Sequence, residues 1–314
     1  MKVGIVGAGS VGAATALCLV ERGGMCREIV LVDRDTGRAE GVAADLRYAA
    51  PLSPTVRVRA GGWADLSGAT LVAITAGVNE RTGGATDRAD PEGRLRLLDT
   101  NTTVFADVVP RVADVAPEAV LMVVTDPPEP LAEVTRQLAG HDRVFSTGTL
   151  IDSLRFRVHL ADRLRVKPAD VQAMAVGEHG TSEVLLWSSA TVGGIPVAEM
   201  LRRFGSSVAE ARPRIEDAIR YANITIIEGT GASQFGIGAV SARLVEAVLR
   251  DEGAVLPVAA HSAAYGTTLS LAAVLGAEGV REAFEPAMDE QEREGLILSA
   301  AVLRKAADRA LSLL

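Results

Sequence analysis

Between Gly148 and Gly180 the sequence holds an acid, an arginine and a histidine spaced for acid-base chemistry on a small carboxylic acid. The run Gly148-Thr149-Leu150-Ile151-Asp152-Ser153-Leu154-Arg155-Phe156-Arg157 has the composition of a helix opening. Asp152 and Arg155, three residues apart, therefore fall on one face of it. Residues 171–176 read as a short apolar strand, after which Gly177-Glu178-His179-Gly180 exposes His179 in a glycine-flanked loop. If Asp152 accepts a hydrogen bond from one ring nitrogen, the other is left to exchange a proton with a substrate oxygen. Arg155 offers a two-pronged guanidinium that would grip a carboxylate. Such a trio suits hydride transfer, but Asp152 alone would also suit a helix start and Arg155 a solvated charge. The reading needs a redox cofactor and a second cation.

The elements that would position a cofactor lie at the N-terminus. Lys2-Val3-Gly4-Ile5-Val6 reads as a strand, Gly7-Ala8-Gly9-Ser10-Val11-Gly12 as a Gly-x-Gly-x-x-Gly turn, and residues 11–22 as a helix. In this context Gly7 makes the tight turn, Gly9 lets backbone approach a pyrophosphate, and Gly12 lets helix and strand pack closely. The phosphates would meet the unpaired N–H groups of the helix start at Val11, where the dipole favours anions. Glu28-Ile29-Val30-Leu31-Val32-Asp33 is a second strand ending in an acid. Asp33 would accept hydrogen bonds from the adenine-side ribose and repel a 2′-phosphate, which favours NAD over NADP; it would alternatively cap the helix over residues 36–49. Arg34 beside it weakens the exclusion of NADP.

Further strands are expected at residues 56–60, 69–75, 119–124 and 144–146, alternating with helices as in a doubly wound parallel sheet. Ligands of such sheets lie beyond the strand C-termini, which places Thr75-Ala76-Gly77 and Thr125-Asp126 near the cofactor. Residues 79–93 form a polar, glycine-rich loop, a mobile lid or a tolerated insertion. A helix then starts near Arg94. From Gly148 onward long helices are expected at residues 207–231, 239–250 and 289–313, with strands at 254–260, 268–275 and 280–284. The fold class is thus α/β, a Rossmann sheet over residues 1–147 followed by a mixed α+β substrate domain over 148–314.

Composition sets bounds on the rest. The chain has 314 residues, 48% of them apolar but only 4% aromatic, so its core must be built from Ala, Val, Leu and Ile. A net charge of −8 argues against a nucleic-acid surface. Two cysteines, Cys18 and Cys26, do not make a disulfide framework and fit a reducing, cytoplasmic compartment. No cleavable signal or transmembrane run is expected, so no membrane partner. None of His141, His159, His179 and His261 has metal-ligand spacing to another His or Cys, and no metal is expected.

These motifs resemble the lactate and malate dehydrogenase family, closest in texture to its bacterial L-lactate members. The similarity runs nearly end to end and includes Asp45-Leu46-Arg47-Tyr48-Ala49-Ala50-Pro51-Leu52, Thr75-Ala76-Gly77, the Asp152 to Arg157 run, Gly177-Glu178-His179-Gly180 and Gly231-Ala232-Ser233-Gln234-Phe235-Gly236-Ile237. The resemblance implies an NAD-dependent L-2-hydroxy-acid dehydrogenase acting on a small 2-keto or 2-hydroxy acid, most simply lactate, with malate or another 2-hydroxy acid as the alternative. A protein that keeps the fold and NAD without catalysis is the competing class, disfavoured by retention of all four polar residues. By similarity His179 exchanges the proton, Asp152 orients it, Arg155 binds the substrate carboxylate and Arg94 polarises the carbonyl once the loop closes. Ser233 would lie near the substrate and Ile237 against the nicotinamide, though both also suit ordinary packing. A homo-oligomer is implied, a tetramer favoured over a dimer.

Three departures from the family stand out. Asp126-Pro127-Pro128-Glu129 replaces a usual Asn-Pro, and an ionised Asp126 would oppose the substrate carboxylate by about 4 kcal/mol at 4 Å and an effective dielectric of 20. The 79–93 loop is longer by roughly eight residues. Glu80 then takes the position where Gln implies lactate and Arg implies malate, with Arg81 or Arg88 as alternatives reaching inward. Arg157 matches a residue that binds fructose 1,6-bisphosphate in some members, but Gln172 stands where a histidine is expected, so activation by that sugar should be weak or absent.

Overall fold

The computed structural model describes residues 1–52, 56–90 and 93–314. Strand β1 (Lys2–Val6) leads through the glycine turn into helix α1 (Ser10–Arg22), followed by β2 (Glu28–Val32), α2 (Thr36–Ala49), β3 (Arg57–Ala60) and β4 (Leu71–Ile74). Next come α3 (Leu98–Val115), β5 (Val120–Val123), α4 (Pro128–Ala139), β6 (Val144–Ser146) and α5 (Leu150–Leu164). Short strands β7 (Val171–Gln172), β8 (Ala175–Val176), β9 (Val184–Leu185), β10 (Thr191–Val192) and β11 (Ile195–Pro196) precede helices α6 (Val197–Arg203), α7 (Val208–Arg220), α8 (Ala222–Thr230) and α9 (Phe235–Leu249). The chain ends with β12 (Ala254–Ser262), β13 (Thr267–Gly276), β14 (Gly279–Phe284) and α10 (Glu290–Leu311).

Six parallel strands lie in the order β3-β2-β1-β4-β5-β6, with Val3 opposite Ile29 on one side and Leu71 on the other. Both faces are covered, so the strands are apolar throughout rather than alternating. Ile5, Ile29, Leu31, Leu71 and Ile74 are fully buried, each contributing roughly 1.5–3 kcal/mol of burial. The aliphatic core expected from the composition is thus realised on both sides of this sheet.

Several elements depart from the sequence reading. For β12, β13 and β14 the sequence named no neighbour: β12 pairs antiparallel with β6 at Ala259 and Ser146 and extends the parallel sheet to nine strands. The strand expected over residues 171–176 is two short strands in different sheets, β7 pairing with β10 and β8 with β9. The helix expected over residues 207–231 breaks at Tyr221, where α7 ends and α8 begins. The helix expected from Arg94 opens as a 3-10 turn, Gly93–Leu97, before α3. Of the 79–93 loop, Pro91 and Glu92 lie outside the described residues.

Candidate active site

The cofactor turn has the close approaches that its glycines permit. Gly7 has φ +105, and a Cβ there would sit 2.6 Å from the Ala76 nitrogen; a Cβ on Gly12 would sit 1.9 Å from the Gly7 oxygen. Only glycine fits either position. Thr75 closes the other side, its hydroxyl donating to the Gly7 carbonyl at 2.8 Å. A Cβ on Gly9, by contrast, would meet open space. Gly9 caps α1 with no side-chain bond to the helix start, so an anion can take the N–H groups there. At the tip of β2, Asp33 accepts from the Ala8 N–H at 2.7 Å and the Asp35 N–H at 2.9 Å, which orients its carboxylate. These residues fit a dinucleotide. Asp33 does not cap α2; Asp35 does, accepting from the Arg38 N–H.

The catalytic candidates come from four elements tied together by buried hydrogen bonds. Thr149, just before α5, donates through its hydroxyl to the Ala175 carbonyl at 2.6 Å, and Ser153 accepts from the Ala175 N–H at 2.9 Å. The first turn of α5, with Asp152 and Arg155, is thereby stitched to β8. Beyond β8, Gly177 has φ +85 and exchanges backbone hydrogen bonds with Ser270 of β13, while the Glu178 N–H donates to Ser299 of α10. The turn this pins down delivers His179 to Asp152: the ring Nδ1 lies 2.5 Å from the Asp152 carboxylate. The Asp152 carboxylate also accepts from Arg155 at 2.9 Å.

His179 is 8% exposed and Asp152 1%, so the pair sits where charge is weakly screened. Burial opposes ionisation of Asp152, but the charge and hydrogen bond of His179, with Arg155 and Arg94, outweigh it and hold the carboxyl down at about 2. Arg94 is buried as well; burial works against its charge, yet Asp126, Asp152, Glu80 and Glu183 together raise its pKa. It donates to the His179 carbonyl at 3.2 Å and faces the Asp126 carboxylate at 3.5 Å. His179 Nε2 lies 3.9 Å from the same carboxylate. Asp126 is therefore turned into the site, held by Asn101, whose amide donates to its backbone oxygen at 2.7 Å.

One cleft receives nearly all of these groups. Thr75, Gly77, Asp126 and Val11 line it from the cofactor side, and Arg94, Arg155 and His179 from the catalytic side, joined by Glu80, Ser233 and Ile237. Two further residues share the site and had no signal in the sequence. Asn223 of α8 lines the cleft at 5% exposure, and Glu183, buried beside Asp152 and the arginines, has its carboxyl raised well above the ordinary range by burial and by Asp152. Each is an isolated polar residue in a local pattern that names no partner.

Of the three residues proposed to reach the substrate side chain, the structure brings one inward. Glu80 lines the cleft; burial first, then the Asp126 charge, raises its pKa. Arg81 is exposed, with its guanidinium 3.5 Å from where a Cβ on Gly231 would lie. Arg88 points away to α8: it donates to the Thr225 hydroxyl at 2.9 Å, lies 3.7 Å from Glu228 and stacks 5.9 Å from the Tyr221 ring centre. The long loop folds back on itself, with the Gly83 and Ala85 N–H groups donating to the Asn79 and Glu80 carbonyls, and so turns both arginines out. Arg157 donates to the Ala173 carbonyl at 3.2 Å, within its own chain, and Gln172 is exposed.

Comparison with known proteins agrees with this geometry. The profile of the lactate/malate dehydrogenase NAD binding domain matches residues 1–146, and that of the family's alpha/beta C-terminal domain matches residues 149–313. The chain is 45% identical to an L-lactate dehydrogenase of Thermus aquaticus across 98% of each sequence, and 44% identical to one of Deinococcus radiodurans across 97% of each. Among solved structures, a minor L-lactate dehydrogenase from Enterococcus mundtii in its ligands-bound form superposes with a TM-score of 0.89 at 33% identity, covering 98% of both chains. Motif, fold and matched profiles converge, and the chain belongs to the lactate/malate dehydrogenase family.

Proposed function

We propose that the protein is an NAD-dependent L-2-hydroxy-acid dehydrogenase interconverting 2-oxo acids and L-2-hydroxy acids, with pyruvate and L-lactate as the simplest pair. The observation that carries the reading is His179: one ring nitrogen is bound at 2.5 Å to a buried carboxylate, while the other faces a cleft that Arg94 and Arg155 also line. When bound, the cofactor supplies or accepts the hydride. Arg155 holds the substrate carboxylate, and Arg94 polarises the carbonyl whose oxygen gains charge as the reaction proceeds. His179 Nε2 gives that oxygen a proton in reduction and takes it back in oxidation, with Asp152 fixing the ring and stabilising its charged form. Asp33 at the tip of β2 supports NAD rather than NADP, since a 2′-phosphate would meet its charge.

Oxaloacetate is the poorer candidate, because its second carboxylate would enter a cleft that already holds Glu80 and Asp126. The remaining parts of the reading are an NAD-binding unit over residues 1–147, a substrate unit over 148–314, and a cytoplasmic homo-oligomer, a tetramer favoured over a dimer. Self-association is supported by Leu154 and Val158, exposed apolar residues on one face of α5, and by Tyr48 and Leu52 at the end of α2. The test is loss of NADH absorbance with pyruvate, oxaloacetate and longer 2-oxo acids. Oxidation with pyruvate is expected. NADH binding without oxidation by any of them would instead favour a non-catalytic NAD-binding protein.

A further inference from the structure

The cleft contains polar groups that the reaction does not use. Glu80 and Asp126 both line it, and their carboxyl oxygens can accept. Asn223 is 5% exposed and turned to the same cleft, and its amide makes no hydrogen bond among the described residues. The Ser233 hydroxyl, also in this wall, makes none either. Neither amide nor hydroxyl is sealed from solvent, so both are open to a partner supplied by whatever molecule occupies the cleft. A methyl group placed here would cover acceptors and satisfy none of them, whereas a second carboxylate would meet two acids.

We propose that Glu80, Asp126, Asn223 and Ser233 form a subsite that selects 2-oxo acids whose side chain carries a hydrogen-bond donor, a hydroxyl or an ammonium group. The proposal rests on the dehydrogenase reading above. In it a Glu80 carboxyl oxygen accepts the hydrogen bond of the side-chain donor, and the Asn223 carbonyl oxygen and Ser233 hydroxyl complete the pocket. Asp126 stays against Arg94. Of the apolar residues that line the cleft, Val11, Ile151 and Ile237 pack on the core and are left to the cofactor ring; Val78 and Val124 line it as well, beside the polar groups of the subsite. A site built to hydrogen-bond a substrate group discriminates strongly against an analogue that lacks it, since its own polar groups are then left unpaired.

The test compares kcat/KM for 3-hydroxypyruvate, pyruvate and oxaloacetate with NADH, in the wild type and in Glu80→Leu and Asn223→Ala. The wild type should prefer 3-hydroxypyruvate to pyruvate by roughly tenfold or more and use oxaloacetate least. Glu80→Leu should bring the two smaller substrates to parity or reverse them, and Asn223→Ala should cut the preference several-fold. NADH binding is measured on every protein by fluorescence, and a variant that no longer binds it is set aside in favour of the other and of the wild-type ratio. Equal or inverted wild-type preference, or a ratio unmoved in both variants, overturns the subsite while leaving the dehydrogenase standing. NADH binding with no turnover of any 2-oxo acid overturns both.

Discussion

Asp126 stands 3.5 Å from Arg94 and 3.9 Å from His179, against the groups that must act on substrate. It offers Arg94 an internal carboxylate, and a substrate carbonyl must compete with it for that guanidinium. Asp126→Asn keeps the shape and removes the charge, and should raise kcat/KM for pyruvate by roughly tenfold, the effect of about 1.4 kcal/mol on the barrier. Steady-state kinetics check this, and a fall would assign the acid a necessary role. Much of the site was legible at this scale because the residues sit in local motifs. Gly7, Gly9, Gly12 and Asp33 announce a dinucleotide through a turn, and His179 through the glycines around it. Asn223 and Glu183 were not legible, since a single polar residue in an apolar helix or a short loop shows its surroundings only after folding. For Glu80 the position was readable but its orientation was not, because that depends on how the inserted loop turns.

At the scale of elements, the loop over residues 79–93 is held to the body through its second half. Asp90 pairs with Arg96 at 2.6 Å, and Arg88 docks on α8 through Thr225, Glu228 and Tyr221. The Arg88 contacts are exposed and individually weak, together about 1 kcal/mol. Arg88→Ala should therefore loosen the loop without unfolding the protein: cleavage in the loop under limited proteolysis speeds up, and KM for pyruvate rises roughly fivefold. Unchanged proteolysis would show that Arg88 is not the latch. The β1 to α1 turn is the opposite case, a junction with no slack. Gly12→Ala puts a methyl into the Gly7 carbonyl, and should cost about 1–3 kcal/mol of stability and weaken NADH binding at least tenfold by titration. Element types were mostly legible from periodicity. The break at Tyr221 was not, because neither glycine nor proline stands there to mark it. Nor was the pairing of β12 with β6, since alternation identifies a strand but not its neighbour.

For the whole molecule, joining the two halves buries titratable groups whose ionisation then depends on folding. Glu129 of α4 is completely buried next to Glu178, and burial first, then that charge, pushes its carboxyl up to about 8 from an ordinary 4.5. The folded chain keeps a proton there that the unfolded chain releases, so this group lowers stability as pH rises from about 4.5 to about 8 and has no further effect above. The slope is at most about 1.4 kcal/mol per pH unit. Asp152 has the opposite sign: its contribution is full above 3.8 and is lost as pH falls toward about 2. Glu129→Gln should accordingly gain on the wild type in Tm between about pH 5 and pH 8, measured by calorimetry, and a constant difference would contradict the assignment. The central claim concerns the same convergence, a substrate held by its carboxylate at Arg155 with its carbonyl between Arg94 and His179 while hydride arrives from the nicotinamide. Its most direct test is to supply pyruvate with NADH deuterated at both C4 positions and analyse the product. The account predicts L-lactate carrying deuterium at C2, formed by the wild type and reduced roughly a hundred- to ten-thousand-fold in His179→Gln at equal NADH occupancy. Unlabelled lactate, the D isomer, or undiminished turnover in the variant would contradict it.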